Sequence, residues 1–188
     1  MKLITSFKSL IVVFLLISLN SCSKEYETET FPDSALVTVK LQGLSSQLTS
    51  ANIDVTDIQF QIKVDETEEG AWVSLNTVNM GVHDLTQITG NSVVTLVDFD
   101  EIDLGTVYGL KVVLGEDNSI VKNGITYQLS LHNNLPNEAV NLVNKDIQAN
   151  MLYEFIVEFD IDASVILNDQ EAHLSPKTSL VMRRFELF

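Results

Sequence analysis

Cysteine is nearly absent: Cys22 is the only one in 188 residues. A single thiol forms neither an internal disulfide nor a thiolate metal cluster. Bases are also few. Lys and Arg number 11 against 26 Asp and Glu, a formal charge of −15. That balance disfavours nucleic acid and bare anionic membrane as partners. None of the glycines sits in a phosphate-cradling loop of the Gly-x-Gly-x-x-Gly or Walker type. Long apolar runs are missing too. The longest, Leu10 to Ile17, falls short of the roughly 20 residues that span a bilayer. No stretch has a convincing helical period. What remains is a chain that must stand on an apolar core of strands without covalent staples.

The apolar run explains the lone cysteine. Lys2 and Lys8 supply a short positive region ahead of it, and the run has the length of a secretory signal core. It ends Leu19-Asn20-Ser21-Cys22. This resembles the bacterial lipobox, in which Leu at −3 and a small residue at −1 precede the Cys. The resemblance implies a lipoprotein signal peptide over residues 1–21, cleavage before Cys22, and acylation of Cys22. Several acyl chains on one residue make a lasting anchor where one chain alone does not. Removing residues 1–21 takes away Lys2 and Lys8 and no acid, leaving 26 acids against 9 bases, −17. Residues 22–34 are acidic and have little to bury, so they are expected to be a flexible tether. Lys24-Glu25 loosely resembles the charged export tag of surface lipoproteins in bacteroidete-type bacteria. The expected location is the cell envelope, lipid-anchored to the outer membrane; an export tag would put the domain at the surface, whereas a plain acidic linker leaves its face of the membrane open.

From residue 35 to 188 the pattern is strand after strand, predicting one all-β domain. In ALVTVKLQG, Val37, Val39 and Leu41 share a face opposite Thr38, Lys40 and Gln42. In DIQFQIKV, Ile58, Phe60, Ile62 and Val64 alternate with polar residues. In MLYEFIVEFDID, Tyr153, Phe155, Val157, Phe159 and Ile161 line one face. Asn123-Gly124 stands between two such runs and predicts a type I′ hairpin. The run SLVMRRFELF predicts a last strand, on which Arg183 and Arg184 point to opposite faces. Eight to ten strands separated by turn signals predict an antiparallel β-sandwich.

The blocks VTVKL, DVTDIQFQI, AWVSL, HDLTQITGNSVVTLVD, LGTVYGLKVVLGEDNSIVKNGITYQLSL and YEFIVEFDIDASV resemble, in order, those of domain of unknown function family 4382. The most specific positions are Gly105-Thr106, Leu110-Lys111, Leu114-Gly115, Asn118, Gly124 and Tyr127, with Phe159-Asp160 to Ser164 behind them. Val107 departs from the family's usual Tyr. The resemblance implies a transthyretin-like or immunoglobulin-like sandwich in a lipoprotein of bacteroidete type. It implies no activity and no functional residue.

Several residues are candidates for chemistry. Asp98, Asp100, Glu101 and Asp103 crowd six positions of VDFDEIDLG, and hard oxygen ligands at that density suit Ca²⁺. The EF-hand order is broken by Ile102, and a solvated turn is the plainer reading. Were the run to continue as strand, Asp98 and Asp100 would share one face and Glu101 and Asp103 the other. Trp72, Tyr108, Tyr127 and Tyr153 suit either sugar stacking or core packing, and core or rim packing is the plainer reading. His83, His132 and His173 are scattered. Ser, His and Asp occur without local order that implies a triad. No cofactor and no catalytic motif is indicated. The expected function is a non-catalytic surface binding module for a glycan, a protein or another envelope component. The alternative is a structural subunit such as a fimbrillin-like pilus component, assembled by strand donation.

Overall fold

Alternation builds the first strand as the sequence predicts. In β1 (Ser34–Gly43), Val37, Val39 and Leu41 are buried, while Lys40 and Gln42 reach the other face. The structure, a computed structural model, describes residues 30–131, 137–168 and 171–187. The expected signal peptide, Cys22, the tether as far as residue 29, and His132 lie outside them. Twelve strands follow: β2 (Ser50–Gln61), β3 (Trp72–Ser74), β4 (Gly81–Asp84), β5 (Val94–Asp103), β6 (Gly105–Leu114), β7 (Ser119–Lys122), β8 (Ile125–Leu131), β9 (Glu138–Ile147), β10 (Met151–Phe159), β11 (Val165–Leu167), β12 (Ala172–Leu174) and β13 (Thr178–Glu186). The one described helix, α1 (Ile161–Ser164), is a single turn after β10.

The strands form two sheets. One has the order β13-β10-β1-β5; the other runs β11-β12-β8-β7-β2-β6-β9, with β3 and β4 also on β2. Their inner faces share one hydrophobic core, in which Phe60 of β2 meets Phe155 of β10 edge-to-face at 5.4 Å. The fold is all-β and sandwich-like. Two pairings are parallel, β1 with β10 and β12 with β8, where the sequence predicts antiparallel neighbours. Alternation along one strand says which face is buried, not which way a partner runs. Lys40 and Glu154, which bond across the β1–β10 pair, are 114 residues apart, so no tight turn dictates direction.

Three local devices hold the sheets. Gly43 closes the sandwich where β1 passes the end of β4: a Cβ there would sit 2.2 Å from the Leu85 carbonyl oxygen. Asn123 and Gly124 join β7 to β8 with φ of 53° and 77°, the two positive values that a type I′ turn needs. Asp160 caps α1 by accepting the Ala163 N–H at 2.9 Å. Ser164 Oγ donates to the Asp160 carbonyl and accepts the Lys177 N–H. The Phe159-Asp160 to Ser164 element is thus a cap and a staple that turn the chain out of β10 toward β11 and, through Lys177, position β13.

Candidate functional site

The four acids 98–103 lie on strand, not on a turn. β5 continues to Asp103, and only Leu104 separates it from β6. Pairing with β1 explains why. Val37 lies opposite Asp100, Leu36 opposite Glu101 and Ser34 opposite Asp103, so this acidic stretch is held by a buried central strand. Asp100 and Glu101 therefore take opposite faces.

The strand is irregular where the acids begin. Val37 pairs with Asp100 but Val39 with Val97, so Asp98 and Phe99 together face Thr38. This is a β-bulge. Phe99 adopts φ 48°, and its N–H donates to Thr38 Oγ1 at 3.3 Å. A bulky residue in the left-handed region is a backbone outlier. The residue is 56% exposed, so core packing does not account for it. Asp98 and Phe99 are both exposed, and the expected sharing of a face by Asp98 and Asp100 is broken by the bulge.

The outer edge of β5 changes character at the same point. Its first half is covered: Thr77 bridges Val97, the Val78 N–H donates to the Leu96 carbonyl, and Asn79 Nδ2 donates to the Thr95 carbonyl. The cover ends where the Asn76 N–H donates to an Asp100 carboxylate oxygen at 2.9 Å. From Asp98 to Asp103 no strand pairs with this edge among the described residues. Beside it opens a groove of about 500 Å³. Phe60, Val73, Leu75, Ile102 and Val107 give it apolar walls, and Asp100, Glu101 and Asp103 also line it. Val73 and Ser74 of the three-residue β3 border it on one side. Among the described residues no three or more His, Cys, Asp or Glu are placed to hold a metal ion.

The other candidates take structural places. Trp72 is half-buried on β3. Lys111 Nζ sits 4.1 Å over its ring and 3.2 Å from Glu138. Trp72 Cη2 would also lie 3.2 Å from a Cβ built on Gly109, so a sugar stacking there would first displace Lys111. Tyr153 is buried, its hydroxyl accepting the Gln148 N–H; Tyr108 and Tyr127 are half-buried. His83 Nε2 lies 3.0 Å from the Asn79 carbonyl.

One constellation was not legible in the sequence. Ser130 Oγ lies 2.8 Å from His173 Nδ1, and His173 Nε2 lies 3.1 Å from Glu171. Parallel pairing of β8 with β12 brings Ser130 and His173 side by side; they are 43 residues apart in sequence. The row superficially follows a hydrolase triad. Acyl transfer also needs donors aimed at a developing oxyanion. Ser130 is the last but one residue of β8, flanked by Leu129 and Leu131 that pair with Ala172 and Leu174, and its hydroxyl also lies 3.4 Å from the Ala172 carbonyl oxygen. The row is a polar clasp holding β12 to β8.

The family model described as Domain of unknown function (DUF4382) matches residues 34–176. The match begins at the first residue of β1 and stops just before β13. No curated protein and no solved structure matches the chain.

Proposed function

The chain belongs to the DUF4382 family, domains of unknown function, and on that footing we propose a lipid-anchored envelope protein acting as a non-catalytic binding module for an extended polypeptide. The observation that carries this reading is the free half of β5. It offers unpaired backbone groups from Asp98 to Asp103 beside an apolar groove. An added strand would satisfy those groups and place alternate side chains in the groove. The acids along the edge favour a segment with basic residues. Among the partner classes expected from sequence, protein fits better than glycan, because Lys111 already occupies the space over the Trp72 ring.

The binding test uses residues 22–188 with Cys22→Ser and a synthetic peptide alternating Val and Lys. Amide shifts of residues 98–103 should move in NMR titration. The same peptide with alternate N-methylated amides should be inert. Shifts confined to other strands, or none, overturn the reading. The anchor is tested in cells: Cys22→Ala should abolish labelled palmitate incorporation and leave the precursor uncleaved, and equal labelling of both forms refutes it.

A further inference from the structure

The four-stranded sheet has a second open edge. β13 pairs with β10 on one side and, among the described residues, with no strand on the other. It carries the only two arginines of the chain, Arg183 and Arg184. Both remain exposed, though Arg183 lies 3.4 Å from Glu154 and Arg184 bonds Gln148.

The registers put the two edges at one level. Asp100 lies opposite Val37, Val37 opposite Tyr153, and Tyr153 opposite Arg184. One row up, Asp98 and Phe99 face Thr38, which pairs with Glu154, which pairs with Arg183. One row down run Glu101, Leu36, Leu152 and Phe185. Both edge strands run antiparallel to the central β1–β10 pair, so they run parallel to each other. A copy translated along these rows sets its Arg184 beside Asp100 on one face. Its Arg183 comes beside Asp98 and the exposed Phe99 ring on the other, where a guanidinium gains from both carboxylate and ring.

We propose that the free half of β5 receives the β13 edge of a second copy of this chain, head to tail. The inference rests on the reading of β5 as a strand-binding edge and names its occupant. Charge excludes the other self-pairings: β5 against β5 opposes acid to acid, and β13 against β13 opposes arginine to arginine. The chain's own tether is excluded likewise, since Glu25, Glu27 and Glu29 would meet Asp98 to Asp103. A contact between two different edges does not close on itself, so it extends as a row. The proposed anchor favours such a row. Ser34 begins β1 opposite Asp103, so each tether leaves from the end of the sandwich that bears the free edges. Copies fixed by that end share one orientation, and confinement raises the effective concentration of a weak contact.

The test is sedimentation of residues 22–188 with Cys22→Ser over a concentration series at low and high salt. The expected result is a series of larger species that fades as salt screens the contact. Arg183→Glu with Arg184→Glu should leave only monomer, as should Asp98→Arg with Asp100→Arg. Mixing the two charge-reversed proteins should restore the larger species, because each then offers the other a complementary edge. Circular dichroism of each variant checks that it folds. A wild type that stays monomeric at every concentration and salt, or a mixture that stays monomeric, overturns the proposal. The Val-Lys peptide separates the two failures: a monomer whose 98–103 amides still respond loses the second copy and keeps the binding edge.

Discussion

Between β6 and β7 a strand breaks at Asn118, and within β5 one breaks at Phe99. The first break is closed. Asn118 has no exposed surface. Its Oδ1 accepts the Asp54 N–H at 2.9 Å, its Nδ2 donates to the Gly115 carbonyl at 2.7 Å, and its carbonyl accepts the Leu129 N–H. Backbone and side chain of Asn118 are thus all engaged, its own N–H donating to the Glu116 carbonyl, where β2 passes from β6 to β7. The second break is left open. Phe99 is exposed and left-handed, and the edge beyond it is unpaired. An irregularity whose polar groups are all satisfied serves the fold. One that stores strain at a free edge is where a partner is to be sought.

The largest effect is therefore expected at the closed break. Asn118→Ala removes both side-chain bonds of a fully buried residue and leaves the part-buried Asp54 N–H without its acceptor, which costs about 2–3 kcal/mol. Denaturant titration should show a clear fall in midpoint, and an unchanged midpoint would erase the contrast with Phe99. Gly124→Val comes next, at about 1–2 kcal/mol, from a β-branched residue at φ 77°. Nothing lies within 4 Å of a Cβ built there, so the cost is backbone strain without collision. Gly124→Asn, which tolerates positive φ, should recover most of the loss.

What was legible in the sequence was what is local. Alternation located the buried faces of β1 and β10, Asn123-Gly124 announced its turn, and the positions around Asn118 and Ser164 carried the family resemblance. What was not legible depends on distant pairing. Nothing within DFDEID says that β1 will hold it as strand, and a solvated turn was the natural reading of so many acids. The left-handed Phe99 follows from a mismatch of count between β5 and β1, which neither segment shows alone. Alternation sends Arg183 and Arg184 to opposite faces, but only register sets them in rows with Asp98 and Asp100. Ser130 and His173 met only through a parallel pair.

Asp84 tests the closed side of the molecule by pH. Burial pushes its carboxyl up, but the N–H groups of Ala51 and Thr86 and the hydroxyls of Thr86 and Ser50 outweigh burial and hold it below the ordinary range. A carboxylate with a lowered folded value adds stability above its unfolded value, near 3.9, and loses it as pH falls through the folded value. Asp84→Asn should cost about 1 kcal/mol at neutral pH, with the gap to wild type narrowing below about pH 4. A gap independent of pH would mean that the charge contributes nothing.

The smallest effect is expected at Phe99. Phe99→Gly relieves a left-handed strain of about 1–2 kcal/mol. Against that stand the greater freedom of glycine in the unfolded chain, about 0.5–1 kcal/mol, and the part of the ring that is buried. The opposing terms nearly cancel, so stability should change by no more than about 0.5 kcal/mol. The peptide response of residues 98–103 should weaken all the same, because the ring beside the free edge is gone. That pairing of outcomes, function lost and stability kept, is the reverse of what Asn118→Ala should show. Thermal melts and NMR titration of the two variants in parallel decide it. A Phe99→Gly protein as destabilised as Asn118→Ala would mean that the bulge holds the fold, and the distinction between the closed and the open break would fall.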